Sequence, residues 1–382
     1  MGTMQEDVEY LEKWLDEAEC LAKAIKDQAS KANLQSVFTI STTAKIQQNG
    51  YPFLTPLRQI THGFIGGSIV FSQTQALLLC KRIDGLVDEI LVDAEKKIGI
   101  TLGIDEHTLT HFGILGEGEL SNARVHVEMG NLSAACFNHV QKSSFREFKA
   151  NDLTVEAVWH YLSSWYSVLS GKRIAIIGSG NIGFKLGVKL VECGCQVELV
   201  RRDLVKGTLM ANAINIVKPQ STLSNAHYNS DPLQASLFAD VIIGCTDGIP
   251  VITWEMIQCM KPLGIVIDVG KGSIHKKAIQ KALQENINIV RCDISSAMDG
   301  LIATMHRNRT VIKMRMGRKE IQKGIFVVSG GYMGLEGDII VDSYQTPTRI
   351  IGVADGMGDL MKDISIKNKQ DIDQLIRQFS IS

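Results

Sequence analysis

Apolar residues recur at Val8, Leu11, Leu15, Ala18, Ala22 and Ile25 with charged residues between them, the period of one face of an α-helix. The chain therefore opens on an amphipathic helix. Three β-branched or apolar runs follow, at 37–40, 68–71 and 89–92, separated by stretches long enough for helices, such as 74–83. That alternation predicts a smaller α/β domain with parallel pairing over residues 1–150. From 151 to 170, apolar positions at Val155, Val158, Trp159, Leu162, Trp165, Tyr166 and Leu169 mark a long connecting helix.

The pattern then turns into repeated strand and helix. Strands are expected at 174–177, 196–200, 240–244, 265–269 and 287–290, with helices at 181–193, 253–260 and 276–284. Such a succession specifies a doubly wound parallel sheet, a Rossmann domain over 151–300. Beyond residue 300 the texture changes. Residues 306–323 hold seven Lys or Arg and one Glu, and glycines follow at 330, 331, 334 and 337. This C-terminal extension, 301–382, is expected to pack back on the two domains. Its basic run reads as a solvated face ahead of an anion site, and the alternation at 311–316 as a hairpin strand.

Composition narrows the class. The 382 residues are 45% hydrophobic and 21% charged with a net charge of -1, which excludes wholesale disorder and gives no pull towards nucleic acid or anionic lipid. A small-molecule substrate is the expected partner. None of the eight cysteines forms a C-x-x-C pair, which argues against a zinc ribbon or thioredoxin chemistry. His107 and His111 are four apart but lack a third ligand, so no metal is expected. The first ten residues carry Glu6, Asp7 and Glu9 in place of a basic leader, and the longest uncharged stretch, 63–80, is interrupted by Ser and Gln. A cytoplasmic protein without a membrane span is the expectation, with homodimerisation as the base-rate state.

The motif that carries chemistry is Gly178-Ser179-Gly180-Asn181-Ile182-Gly183, between an apolar strand and a helix. In that setting the first glycine permits a tight turn, the second lets backbone approach a pyrophosphate, and the third lets helix and strand pack closely. The helix N-terminus then offers its free N–H groups to phosphate. Alternatives for such a loop are a packing turn or an S-adenosylmethionine site. The second strand ends in Val200-Arg201-Arg202-Asp203. Two guanidiniums there suit a 2′-phosphate, favouring NADP over NAD. In the competing reading Asp203 takes the ribose and the arginines stay solvated, and Glu198 lies too early in the strand to do so. Two later strand ends, Cys245-Thr246-Asp247 and Val269-Gly270-Lys271, should border the rest of the cofactor. Cys245 reads as a small packing residue rather than a nucleophile, and Lys271 as either a substrate contact or a surface lysine.

An α/β domain, a connecting helix and G-K-R-I-A-I-I-G-S-G-N-I-G, over residues 35–295, resemble the superfamily containing shikimate dehydrogenase, methylenetetrahydrofolate dehydrogenase and the amino-acid dehydrogenases. The Val-Arg-Arg strand end looks like the NADP-selecting loop of shikimate dehydrogenase. Ile267-Asp268-Val269-Gly270 is similar to a late strand end of methylenetetrahydrofolate dehydrogenase. The part after residue 300 has no counterpart there. The resemblance implies an active cleft between two domains and a first-domain lysine with an acidic partner, for which Leu91-Val92-Asp93-Ala94-Glu95-Lys96-Lys97 supplies Asp93 and Lys96. Position points the same way, since both follow an apolar strand whose end faces the crevice of a parallel sheet. A charged surface cap is the plainer reading of the same residues. Ser41, Thr42, Thr43 and Lys45 are the equivalent candidates at the neighbouring strand end. The expectation is an NADP-dependent oxidoreductase acting on a small polar C–O or C–N centre, with a dinucleotide-sensing protein that does not turn over as the alternative.

Overall fold

The computed structural model describes residues 8–43, 50–95, 106–113 and 132–379. It divides into two compact units, 1–299 and 300–382. The first unit holds two sheets.

Helix α1 (Val8–Ala32) buries Leu11, Trp14, Leu15, Ala18, Ala22, Ile25 and Ala29 along one stripe, as the helical period requires. Strand β1 (Gln35–Ser41) follows, then β2 (Phe53–Ile60), β3 (Gly63–Ile69), α2 (Gln73–Ile83) and β4 (Glu89–Asp93). Short helices α3 (Glu106–His111) and α4 (Leu132–Phe137) precede β5 (Ser144–Phe148). The sheet order is β2-β3-β1-β4-β5. All neighbours are parallel except β2, which pairs antiparallel with β3. The all-parallel expectation is corrected at that edge. Pro56 lies within β2, and a residue lacking an N–H is tolerated on an edge strand. The run expected at 68–71 belongs to β3, which begins earlier and ends at Ile69.

Helix α5 (Ala150–Trp165) leads into the second sheet and stops five residues short of the expected end. The sheet comprises β6 (Arg173–Ile177), α6 (Asn181–Glu192), β7 (Gln196–Val200), α7 (Leu204–Val217), β8 (Ala226–Asn229), α8 (Pro232–Ser236), β9 (Val241–Gly244), α9 (Trp254–Gln258), β10 (Ile265–Asp268), α10 (Lys276–Gln284) and β11 (Asn288–Arg291). Its order is β11-β10-β9-β6-β7-β8, parallel throughout. The strand order reverses between β6 and β9, the point where open α/β sheets bind ligands. Central strands β6 and β9 are buried on both faces, which explains their unbroken Ile-Ala-Ile-Ile and Val-Ile-Ile runs.

Helix α11 (Ser295–Thr310) continues into a π-helical turn at Val311–Arg315. The hairpin strand expected at 311–316 is therefore corrected. No glycine or proline interrupts the helix between Ala303 and Met316, and the strand starts only at Gly317. Arg307, Arg309, Lys313 and Arg315 are exposed, in keeping with a solvated face. In the second unit β12 (Gly317–Gln322), β13 (Ile325–Ser329), β14 (Ile339–Val341) and β15 (Ile350–Val353) form a sheet in that order, and α12 (Ile366–Phe379) packs Leu375 with Ile325, Val327, Ile339 and Val341. Arg318 makes a two-pronged ion pair with Asp338, at 2.7 and 3.0 Å, with its guanidinium over the Phe326 ring. Among the described residues no helix is long and apolar enough to cross a membrane.

Candidate dinucleotide site

The glycine loop lies between β6 and α6, pinned to the next strand. The N–H groups of Gly178 and Ser179 both donate to the Val200 carbonyl at 3.0 Å. Gly178 has φ +98°, a conformation that L side chains rarely adopt, and a Cβ there would meet the Cys245 carbonyl at 2.8 Å. A Cβ on Gly183 would lie 2.6 Å from the Gly178 oxygen and 3.1 Å from Ile176 Cγ2. Gly180 differs: a Cβ there would meet nothing within 4 Å. Two of the three glycines are needed by the protein's own packing. The middle one faces open space at the N-cap of α6, where the first N–H groups of a helix have no partner within it.

At the end of β7, Arg201 is half-buried and Arg202 exposed. Arg201 Nη1 donates to the Ser179 carbonyl, so the guanidinium reaches back to the glycine loop. Its Nε is buried without a hydrogen-bond partner. The Tyr228 hydroxyl donates to the Arg201 carbonyl at 3.1 Å and fixes the backbone there. The Asp203 carboxylate accepts the Lys206 N–H at 3.0 Å and so caps α7. This cap and the nearby Lys206 ammonium hold its carboxyl below the usual range. Glu198 pairs with Arg173 at 3.2 Å. Both carboxylates that might have taken a ribose are engaged elsewhere.

The later strand ends meet this loop. Cys245 N–H donates to the Ile177 carbonyl at 2.7 Å, and the Thr246 hydroxyl lies 2.9 Å from the Ser273 hydroxyl. Asp247 is exposed. Val269 and Gly270 both donate to the Gly244 carbonyl at 2.9 Å. Asp268 shapes the turn that follows, accepting from Gly272 N–H at 2.7 Å and Ser273 N–H at 3.2 Å. Lys271 is exposed with φ +54°. Burial pushes the Cys245 thiol well above its ordinary range, so it is a poor nucleophile at neutral pH.

On the first sheet, Asp93 ends β4 and is fully buried. Its carboxylate accepts the Thr42 hydroxyl at 3.2 Å and the Glu95 N–H at 3.0 Å. Because β1 and β4 are parallel neighbours, Thr42 and Asp93 leave the sheet side by side. Lys45, Lys96 and Lys97 lie outside the described residues. What the sequence reading missed is how this edge is tied to the glycine loop. The Glu95 carboxylate accepts the Asn151 N–H at 2.9 Å, in the first turn of α5, whose N-cap Lys149 supplies no side-chain bond. Asn151 Nδ2 in turn donates to Asn181 Oδ1 at 3.3 Å, in the first turn of α6. Lys185 of α6 pairs with Asp152 and lies 3.9 Å from Glu95. Partial burial opposes ionisation of Asp152, yet Lys149 and Lys185 hold its carboxyl below the usual range. A continuous polar path therefore runs from Asp93 to the glycine-loop helix. The acidic residues at 93, 95 and 152 were visible as charges; their connection was not, because it depends on where two strands and two helices meet. His111 pairs with Glu12 at 3.0 Å, and among the described residues no three ligating side chains are placed to hold a metal.

Residues 142–296 match the family model of the D-isomer specific 2-hydroxyacid dehydrogenase NAD binding domain. The second sheet and its helices thus form a nucleotide-binding domain of the kind found in those dehydrogenases. That match spans less than half of the chain and includes every strand of the second sheet. Solved structures resemble the chain only distantly. A proposed formate dehydrogenase from Pyrobaculum aerophilum is 14% identical over 38% of this chain and 52% of its own, with a TM-score of 0.27. The dipicolinate synthase A chain from Bacillus subtilis is 10% identical over 73% of this chain and 81% of its own, TM-score 0.32. L-tryptophan dehydrogenase from Nostoc punctiforme is 13% identical over 63% of this chain and 62% of its own, TM-score 0.36. The chain thus spans about half the length of the first of these neighbours. No curated protein sequence matches it.

Proposed function

We propose that the chain is a dehydrogenase that uses NADP in preference to NAD and moves a hydride between the nicotinamide and a small polar C–O or C–N centre. The observation that carries the cofactor choice is the end of β7. Arg201 reaches back over the glycine loop with a buried, unpartnered Nε, Arg202 stands exposed beside it, and Asp203 is committed to its own helix. Guanidiniums in that position suit a doubly charged 2′-phosphate. The open position of Gly180 is where backbone can approach a pyrophosphate. Gly178, Ser179, Gly180, Asn181, Ile182, Gly183, Arg201 and Arg202 would hold the dinucleotide at its phosphates. Cys245, Thr246, Asp247, Val269, Gly270 and Lys271 would line its nicotinamide end.

When bound, a nicotinamide dinucleotide supplies or accepts the hydride. The chain's own task is to place the substrate and handle its proton. Asp93 holds the Thr42 hydroxyl and the Glu95 N–H, which makes it an anchor for the strand end. Lys96 and Lys45, close in sequence to Asp93 and Thr42, are the proposed proton carriers, since an ammonium can donate to oxygen or nitrogen as hydride arrives at carbon.

The cofactor reading is tested by Arg202→Ala, an exposed position whose loss should leave the loop intact. Removing one charge-assisted contact should weaken NADPH by about 1.5–3 kcal/mol and leave NADH nearly unchanged. Replacing both arginines should cost NADPH about 2–4 kcal/mol. Equal losses for the two cofactors would overturn the 2′-phosphate assignment.

A further inference from the structure

Helix α7 is apolar on both sides. Its inner face is fixed by Ala211, Ile214 and Gly207, whose Cα lies so close to the Tyr228 ring that a Cβ would meet it at 2.3 Å. Asn215 locks the rotation by exchanging two hydrogen bonds with the Ala226 backbone, at 2.8 and 2.9 Å. The outer face is thereby settled. It presents Val205 (66% exposed), Leu209 (62%) and Ile216 (81%) on one stripe, flanked by Leu204 and Val217, which are also exposed. The positions between them are Thr208 and Asn212, and Lys206 is the only charged residue of the helix. A surface helix ordinarily turns charge outward; one that is apolar all round belongs in an interior.

We infer that this face of α7 is the contact through which two copies of the chain pair. The five side chains expose on the order of 600 Å², the upper limit for the largest apolar patch of an ordinary monomer. Two such faces pressed together would bury up to roughly 1,200 Å² from these side chains, the lower bound of a stable interface. A two-fold pairing sets the same surface against itself, so the surface must be self-complementary. An uncharged stripe meets that demand without like-charge repulsion, and the Asn212 amide can both donate to and accept from its own copy. A lipid surface fits less well, because interfacial helices carry Lys and Arg along their polar flanks and α7 has Lys206 alone.

The test uses the full chain in sedimentation velocity. The wild type should sediment as a dimer at micromolar concentration. Leu209→Glu, at an exposed position, should weaken association roughly 30-fold or more while the melting temperature of the monomer stays within a few degrees. Leu209→Lys should do the same, and an equimolar mixture of the two variants should recover the dimer as opposite charges meet. A monomeric wild type overturns the proposal, as does a wild type that remains monomeric and floats with phosphatidylcholine–phosphatidylglycerol vesicles. A Leu209→Glu protein that dimerises like the wild type also overturns it, and so does a mixture that fails to recover.

Discussion

Two glycines three residues apart should respond to substitution in opposite ways. At Gly180 a Cβ meets nothing within 4 Å, with φ -88° and ψ -153°. Gly180→Val should therefore fold normally. Replacing a glycine N-cap by a β-branched residue costs about 0.5–1 kcal/mol, and a stiffer unfolded chain returns about 0.4–1 kcal/mol. The added methyls would instead occupy the volume a pyrophosphate needs. Crowding of that kind costs about 1–3 kcal/mol, or roughly a five- to 150-fold loss of dinucleotide affinity. At Gly183 the balance is reversed, because a Cβ would lie 2.6 Å from the backbone oxygen of Gly178. Backbone cannot swing aside, so Gly183→Ala should lose about 1–3 kcal/mol of stability, several degrees in melting temperature. Calorimetric titration with NADPH, paired with thermal unfolding without ligand, separates the two effects. Unchanged affinity in a folded Gly180→Val protein would refute the reasoning. So would a Gly180→Val protein that melts several degrees low, since the position would then serve packing.

Other expectations concern proton handling and acid stability. Lys96→Met should lower turnover by roughly 10²- to 10⁴-fold with NADPH affinity nearly unchanged, and near-normal turnover would shift the assignment to Lys45 or Lys271. Asp342 is held at about 2: partial burial opposes ionisation, but the Thr348 hydroxyl, Thr348 N–H and Arg349 N–H outweigh it. A carboxyl depressed on folding contributes stability that is full above its unfolded value near 4 and is lost as pH falls through about 2. In denaturant titrations between those limits, Asp342→Asn should flatten the decline in stability; an unaltered decline would assign the acid sensitivity to other carboxyls.

The nucleotide half was legible because its signals are local. A glycine loop, the strand before it and the arginines one strand later sit within 30 residues of chain, and each has a steric or electrostatic requirement visible in sequence. The first sheet was less legible. Phe53–Ile60 mixes Pro56 with polar residues, as an exposed edge strand can, and it gave no periodic signal. At 311–316 the alternation of apolar and basic residues fits a strand and an exposed helical turn equally well, and the helix running in from Ser295 decides between them. The link from Asp93 through Glu95 and Asn151 to Asn181 was invisible because it joins residues up to 88 positions apart. Only the placement of β4 beside β1, and of α5 against α6, creates it.

Cofactor choice is the claim on which the rest depends, and one titration tests it most directly: wild-type protein against NADPH and NADH in the same buffer, read by calorimetry. Two guanidiniums at the end of β7, with Asp203 turned to its own helix, predict that NADPH binds at least tenfold more tightly, about 1.4 kcal/mol or more. Equal affinities, or a preference for NADH, would contradict the account.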